Sequence, residues 1–428
     1  MLKGTRNSPV GHWWVGTLFG AEEIPAAIVT YVAMLMFLQA DAGAALATGY
    51  CGLLFLPWVL KSFMRQRVRR LGYFRLQLQW LELSLVLLLM LLAFVFVGYY
   101  PRVLTYHFSI FANLFLISLL TAWHELAARM YYERMFRPRL QRLFNGPKIV
   151  ASQSAAVLTY GLLIMFVGAL QVIYRRIPRS WNEGCYLAAG LLLIFALWHL
   201  YALRRPPVGD PHLQGSAMQA VKAEIEVIDR IRRKPYWLRC VGVLALLLLP
   251  QGLMFYSRVL FLLSPTSGGG LGCTLIDLGF AQGTIGVIAF SVGLLLGRQL
   301  VRWVEMQRVF WWMAVALGLS PLIYLLMTFE PPTSLLTLCM ATFQAQFFFG
   351  FGLNLAMHFV RYISGERYRN TINYLYIPLI AFVLLPPMAL SGWLVTELGF
   401  RHFFLLDALL APLAWLVAWA SRCRFILS

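Results

Sequence analysis

Hydrophobic residues along this chain are grouped into long apolar runs that short polar segments separate. A run of about 20 apolar residues can cross the hydrocarbon core of a bilayer as an α-helix. Twelve such runs predict twelve transmembrane helices, near residues 13–38, 45–62, 74–98, 107–129, 149–173, 182–203, 237–262, 281–300, 308–328, 333–359, 371–395 and 401–420. The longest polar stretch, residues 204–236, separates six spans from six.

The first predicted span contains two neighbouring acids, Glu22 and Glu23, followed by Pro25. A carboxylate inside hydrocarbon costs on the order of 2.5–3.5 kcal/mol, so such residues usually face a bundle interior or a water-filled cavity. Pro25 removes a backbone hydrogen bond and can bend the helix. The two glutamates predict either a polar site in a transport cavity or a solvated position near the membrane surface.

Composition places the chain among membrane proteins. It is 60% hydrophobic and only 12% charged, whereas soluble domains carry roughly 25% charged residues. The six cysteines have neither disulfide nor zinc spacing and are expected to pack in the interior. No grouping of residues predicts a metal site or a cofactor site.

The net charge of +19 is explained by membrane topology. Thirty of the 36 lysines and arginines lie in the termini and in the loops on one side of the predicted spans, and five lie on the other side. Positive loops stay in the cytoplasm, so both termini are predicted to be cytoplasmic. This distribution argues against nucleic-acid binding.

The central polar stretch contains a second kind of helix. Ser216 with Gln219 resembles a capping box, and apolar residues then recur at helical spacing as far as Ile228. This pattern predicts a short amphipathic helix on the inner membrane face or against the bundle. A solvated linker helix is the alternative.

The two halves are weakly similar to each other. Residues 38–63 align with residues 275–300, where a shift of one residue sets Asp41 against Asp277, and Pro25 corresponds to Pro250. Two six-span repeats are typical of transporters of the major facilitator type, whose binding site lies near the middle of the membrane.

Several short motifs resemble one branch of that superfamily. They are AWHELAA at 122–128, AEEIP at 21–25, LPWVLK at 56–61, the glycine-containing segments 268–272 and 283–287, and the ending at 391–394 and 399–404. In this order they resemble the peptide–acetyl-CoA–drug transporters, whose best-known members are muropeptide permeases. The resemblance covers nearly the whole chain and implies import of an amphipathic solute driven by a cation gradient.

The chain also departs from that family pattern at three acids. Arg129 stands where the span 4 motif usually has a second acid, and residues 64–67 lack the usual aspartate after span 2. Gln251 replaces an acid that follows the span 7 proline. These losses favour an unusual substrate or an uncoupled carrier.

Acidic and histidine side chains inside the spans are candidates for proton coupling. The candidates, which would bind protons or line a cavity, are Glu22, Glu23, Glu82, His124 and Glu125. A desolvated carboxyl can bind and release a proton in the physiological range. Glu125 is the first candidate, although it could instead pair with Arg129 along the helix. His124 could relay protons or only pack.

A second set of polar residues lies in spans 7 and 10. These residues, predicted to contact the solute, are Arg258, Gln251, Gln344, Gln346, Asn354 and His358. The Arg258 guanidinium could bind a solute carboxylate, or it could extend to the membrane interface. The polar residues of span 10 could line a cavity or hold helices together.

Together these patterns predict an all-α polytopic membrane protein with twelve transmembrane helices in two six-helix bundles. The predicted divisions are 1–203, a linker at 204–236, and 237–428. We expect a bacterial inner-membrane secondary transporter that works by alternating access, with membrane lipid, protons and a small solute such as a muropeptide as partners. An acyl-CoA, peptide, siderophore or drug carrier and a non-transporting sensor are alternatives. A membrane acyltransferase using His124 or His358 has less support, since no catalytic grouping is visible.

Overall fold

The computed structural model describes residues 12–71, 73–97, 103–205, 217–234, 236–365 and 369–420. Within these ranges every regular element is a helix, and ten helices are long and apolar enough to cross a membrane. Nine of them are α1 (Trp13–Gln39), α3 (Phe74–Val97), α4 (Val103–Met135), α5 (Leu143–Tyr174), α6 (Ile177–Ala202), α7 (Trp237–Leu263), α8 (Leu275–Trp303), α9 (Met306–Phe329) and α10 (Leu335–Ser364). The tenth is Arg369–Ala420.

The remaining predicted spans correspond to a bent helix and a broken one. α2 consists of Ala44–Val59 followed by Lys61–Arg69 at an angle of 41°. The last helix has 52 residues and would extend about 78 Å, far beyond the ~30 Å hydrocarbon core. It is broken at Gly399, where φ is 71° and ψ is 162°. α11 (369–398) and α12 (400–420) therefore match the last two predicted spans, and the all-α polytopic membrane architecture is confirmed.

Three of the membrane helices contain a widened π turn. These turns are Ile28–Val32 in α1, Val157–Leu163 in α5 and Gly279–Gly286 in α8. The turn in α1 begins three residues after Pro25, so the helix continues past the proline in a widened form. Hydroxyl groups of Thr30 and Tyr160, 2.9 Å apart, join the first two π turns. Such turns are frequent at functional sites.

The chain divides into two compact units. Unit 1 comprises residues 1–33 and 63–217, and unit 2 comprises residues 34–62 and 218–428. The Ala44–Val59 part of α2 belongs to unit 2. It packs on α11, where the Thr48 hydroxyl donates to the Ala389 carbonyl and accepts from the Gly392 N–H, each at 3.1 Å. The units differ from the sequence halves at residues 34–62, and the predicted domain bounds stay a prediction.

Small residues allow close helix packing within each unit. In unit 1, α1 approaches α5 where Gly20 lies against Ala151 and Ala155. In unit 2, α8 and α10 approach so closely that a Cβ at Gly350 would lie 2.3 Å from the Phe290 carbonyl oxygen. Contacts of this kind are typical of helix pairs in membranes.

The predicted linker helix is present as Ala217–Arg232. Ser216, the predicted cap, lies outside the described residues. Along the helix Ile225 is exposed and Ile231 is buried, and the Lys234 ammonium donates to the Ser364 carbonyl at the end of α10. The hydrogen bond from Arg233 lowers the pKa of the Asp229 carboxyl. The C-terminal end of the linker is therefore attached to unit 2.

Candidate functional site

A buried carboxyl in unit 1 meets two histidines from different helices. Glu82 of α3 is 1% exposed, His124 of α4 is 1% exposed and His199 of α6 is fully buried. The Glu82 Oε1 atom lies 2.5 Å from His199 Nδ1 and 3.3 Å from His124 Nε2. The two predicted residues, Glu82 and His124, are thus brought together, and His199 joins them. We call Glu82, His124, His199 and Thr17 the histidine cluster.

Thr17 of α1 completes this cluster. Its Oγ1 lies 3.0 Å from His199 Nε2, accepts a hydrogen bond from Trp198 Nε1 at 3.0 Å, and lies 3.2 Å from the Trp14 carbonyl oxygen. A threonine hydroxyl has one proton, so it can donate either to His199 or to Trp14. When His199 Nε2 carries a proton, that proton is donated to Thr17 and the hydroxyl turns to Trp14. The Thr17 hydroxyl can therefore either donate to His199 Nε2 or accept from it.

Helical spacing explains how α3 contributes two polar groups to this place. Gln79 and Glu82 are three residues apart, so they lie on one face of α3 among buried leucines. The Gln79 amide donates to the His199 carbonyl oxygen at 3.5 Å. His199 was not predicted, because it lies near the end of the sixth span where a histidine at the membrane interface is unremarkable in sequence. A search for a histidine in every apolar span would have included it.

Two atoms of the histidine cluster can still accept a hydrogen bond. Glu82 Oε2 and His124 Nδ1 are buried and have no hydrogen-bond partner among the described residues. A carboxylate and a neutral imidazole nitrogen are both proton acceptors. No group of three or more histidine, cysteine, aspartate or glutamate side chains in the described ranges is arranged to hold a metal ion. The cluster is suited to binding protons.

The other predicted acids of unit 1 lie in α1 and α4. Glu23 is half-buried, and its Oε2 accepts a hydrogen bond from the Ser152 hydroxyl at 2.7 Å. Glu125 is half-buried and close enough to interact electrostatically with Glu23. Glu22 is also half-buried. Arg129, the proposed partner of Glu125, forms an ion pair with Glu133 at 3.1 Å.

In unit 2 a chain of hydrogen bonds joins three helices. The Gln346 amide of α10 donates to Gln282 Oε1 of α8 at 3.0 Å, and the Gln282 amide donates to the Tyr324 hydroxyl of α9 at 2.6 Å. All three side chains are buried. Of these, only Gln346 was predicted, because it lies among the recurring polar residues of span 10. An isolated glutamine or tyrosine in an apolar span, such as Gln282 or Tyr324, carries little signal in a single sequence.

Arg258 of α7 lies in the same unit. It is 6% exposed, and its guanidinium lies 5.0 Å from the centre of the Phe255 ring. Its Nε has no hydrogen-bond partner among the described residues. It is close enough to interact electrostatically with Tyr324. The side chain is therefore enclosed by protein.

Gln251 of α7 supplies a hydrogen bond that a proline removes from a neighbouring helix. Pro321 of α9 has no N–H, so the Leu317 carbonyl four residues earlier lacks its helical donor. The Gln251 amide of α7 donates to that carbonyl at 2.6 Å. This contact gives Gln251 a structural role, and its predicted contact with the solute stays a prediction.

The remaining predicted residues of α10 differ in burial. Gln344 is exposed, whereas Asn354 and His358 are half-buried. Asn354 lies at the α8–α10 contact beside Gly297, and its Oδ1 has no partner among the described residues. His358 lies near the positive charges of Arg298 and Arg361. Their predicted role in solute binding is untested.

Asp407 of α12 was not predicted. It is fully buried, and neither carboxyl oxygen has a hydrogen-bond partner among the described residues. It follows Phe403 and Phe404 by one helical turn. Asp407 lies inside the predicted span 401–420, so the signal that selected the other acids was present in the sequence and was missed.

No family model matches the sequence, and no curated protein matches it either. Solved structures do match. A bacterial homologue of the human lysosomal transporter Spinster, inward-facing and unoccupied, is similar with a TM-score of 0.68 at 14% identity, over 97% of this chain and 96% of that one. The nucleoside transporter NupG has a TM-score of 0.65 at 13% identity, over 96% of this chain and 99% of that one. A D-xylose–proton symporter has a TM-score of 0.61 at 14% identity, over 94% and 95%.

The chain has the major facilitator fold. At these identities the likeness establishes the fold alone, and it covers nearly the full length of each protein. With the apolar helices described above, it makes this chain a multi-pass membrane protein. The resemblance to muropeptide permeases rests on the sequence motifs only.

Proposed function

We propose that this protein is a secondary transporter that moves a small solute across the membrane together with protons, and that the histidine cluster is its proton-binding site. The observation that carries the proposal is one Glu82 oxygen within hydrogen-bonding distance of two buried histidines. Ionisable residues inside membrane bundles are costly and commonly mark proton pathways. The structural likeness to a nucleoside transporter and to a D-xylose–proton symporter supports this proposal.

The chemistry of the cluster suits reversible proton binding. Histidine changes charge near neutral pH, and an adjacent carboxylate stabilises the charged ring. In the unprotonated state the His199 Nδ1–H donates to Glu82 while Nε2 accepts from Thr17. When a proton binds at Nε2, the ring donates at both nitrogens and the Thr17 proton turns to the Trp14 carbonyl. The positive ring and the negative carboxylate then form a neutral pair.

The solute is proposed to be small and amphipathic, with a muropeptide as the first candidate because of the motif resemblance. The same resemblance supports import across a bacterial inner membrane, and the charge distribution supports cytoplasmic termini. A membrane potential of 100 mV supplies ~2.3 kcal/mol for each proton that enters with the solute. Three acids of the family pattern are absent from this chain, so proton coupling has to be measured directly.

Uptake of a labelled disaccharide-peptide muropeptide into proteoliposomes, under an imposed inward proton gradient, tests this proposal. Wild-type protein is expected to accumulate solute, and Glu82→Gln is expected to lose gradient-driven accumulation. Glu133→Gln removes an exposed glutamate of the same unit and serves as the matched control. Uptake that ignores the gradient in all variants would show an uncoupled carrier. Binding without flux would favour a sensor.

A further inference from the structure

Two buried groups in unit 2 offer hydrogen bonds that no described residue accepts. Arg258 is 6% exposed, and its Nε–H has no acceptor among the described residues. Tyr324 is 1% exposed, and its oxygen accepts from Gln282. No acceptor for the Tyr324 proton is found in the described ranges. Buried donors are almost always paired in folded proteins, by protein groups, ligands or ordered water, so both groups are suited to bind an acceptor.

The buried positive charge of Arg258 also favours binding of a negatively charged group. Arginine stays protonated in proteins, and a buried guanidinium without a counter-ion is strongly unfavourable. Asp407 is a buried carboxyl of the same unit, and neither of its oxygens has a hydrogen-bond partner among the described residues, so it makes no hydrogen bond to Arg258. A negatively charged group from outside the described residues would balance the charge.

The direction of the hydrogen-bond chain orients the Tyr324 proton. The Gln346 amide donates to Gln282, and the Gln282 amide donates to Tyr324, so both hydrogen bonds run toward the Tyr324 oxygen. The Tyr324 oxygen is already an acceptor, which leaves its O–H free to donate onward. Linked hydrogen bonds also strengthen one another in a low-dielectric interior.

Aromatic rings hold both donors in place. The Tyr324 ring stacks on Phe404 with centroids 5.7 Å apart, and Phe404 lies 5.3 Å from Phe261. Phe261 is three residues after Arg258, about one helical turn. Arg258 itself lies over Phe255. The guanidinium and the phenol are therefore supported by neighbouring turns of packed helices.

We propose that Arg258 and Tyr324 bind one carboxylate group of the solute, while Gln282 and Gln346 orient the Tyr324 hydroxyl. A guanidinium matches the two oxygens of a carboxylate. One arginine supplies one positive charge, which balances a carboxylate and leaves a phosphate dianion underneutralised. The identity of the anion as part of the solute rests on the proposed function, whereas anion binding itself can be measured without transport.

The test uses the purified full-length protein in detergent. Its thermal unfolding midpoint is titrated with sodium acetate, and separately with sodium phosphate, against sodium chloride at constant pH and ionic strength. We expect acetate to raise the midpoint of the wild type more than phosphate does. Arg258→Gln should abolish the effect, and Tyr324→Phe should weaken the apparent acetate affinity about tenfold, the usual value of a hydrogen bond to a charged group.

Two control variants show whether the acetate effect arises at Arg258. Arg401→Gln removes an exposed arginine that lies over Phe329 at 4.1 Å, and it should keep the full acetate effect. Glu82→Gln should also keep it while losing proton-driven uptake, so failure of the transport proposal does not affect this measurement. Without added anion, Arg258→Gln should be at least as stable as the wild type.

Three results would overturn the proposal. The first is a midpoint that is equal in acetate, phosphate and chloride. The second is an acetate effect that survives Arg258→Gln. The third is Arg258→Gln unfolding at lower temperature than the wild type without anion, since that would show a structural role. A phosphate effect larger than the acetate effect, lost in the same variants, would replace the carboxylate by a phosphate group.

Discussion

At the scale of single residues, Thr17 has the most specific expected effect. Thr17→Val keeps the shape of the side chain but leaves His199 Nε2 and Trp198 Nε1 without their shared partner. Because an unsatisfied buried polar group costs about 1–3 kcal/mol, we expect a loss of that size in the free energy of unfolding. Gradient-driven uptake should fall as well. Thr17→Ser keeps the hydroxyl and should restore both properties.

The measurement for Thr17 combines chemical unfolding with uptake recorded across a range of external pH. Equal stability and an unchanged pH profile for Thr17→Val would contradict the role given to this hydroxyl. A loss of stability with an unchanged pH profile would limit Thr17 to a structural contact.

Asp407 should tolerate the loss of its charge. An unpaired carboxylate is strongly disfavoured in an apolar interior, so we expect the neutral acid, which asparagine matches in shape. Asp407→Asn should therefore leave the thermal midpoint and uptake close to those of the wild type. A loss of uptake at unchanged stability would instead show that this carboxyl takes part in proton transfer.

Single residues also show how far the sequence alone could lead. Glu82 and His124 were selected because charged and imidazole groups are rare in apolar spans, and the structure places them at one site. His199 and Tyr324 were not selected, because their contacts depend on packing between helices far apart in the chain. Gln251 was selected as an unusual polar residue, and its contact with Leu317 depends on Pro321 of another helix.

At the scale of helices, that contact predicts a coupled pair of substitutions. Gln251→Leu leaves the Leu317 carbonyl without a donor and should cost about 1–3 kcal/mol of the free energy of unfolding. Pro321→Ala restores an N–H that can make the helical bond to the same carbonyl. In the Gln251→Leu background, Pro321→Ala should therefore recover much of the loss.

A double-mutant cycle measured by chemical unfolding tests this coupling. The two substitutions should have an interaction free energy well above the few tenths of a kcal/mol expected for independent sites. Strict additivity would contradict the conclusion that Gln251 compensates for the proline.

The contact between α8 and α10 predicts a position that admits only glycine. A Cβ at Gly350 would lie 2.3 Å from the Phe290 carbonyl oxygen, so Gly350→Ala should force the helices apart at a cost of about 1–3 kcal/mol. Gly242 in α7 has no neighbour within 4 Å of an added Cβ. Gly242→Ala is the control and should be neutral or slightly stabilising. Equal thermal midpoints for the two variants would contradict the described packing.

Helix positions were largely predictable because the apolar runs are long and the bilayer sets their length. The pattern did not show the π turns in α1, α5 and α8, which arise from local hydrogen bonding that hydropathy does not record. Nor did it show that α2 packs with unit 2, since that depends on the close contact of Gly392 with α2.

At the scale of the whole molecule, the fold and the proposed function rest on different observations. The major facilitator fold follows from apolar helices and from full-length likeness to solved transporters. Proton coupling depends on a handful of buried groups, and the identity of the solute rests on short motifs. In the two proposals, the histidine cluster of unit 1 binds the proton, and the Arg258–Tyr324 donors of unit 2 bind the solute anion.

Proton movement on addition of solute tests the central claim most directly. Proteoliposomes loaded with a pH-sensitive dye receive muropeptide without any imposed gradient, and the internal pH is followed. The wild type and Glu133→Gln should acidify the interior as solute enters, whereas Glu82→Gln should not, although it should still exchange labelled for unlabelled solute. Equal acidification by Glu82→Gln would contradict the assignment of the histidine cluster as the proton-binding site.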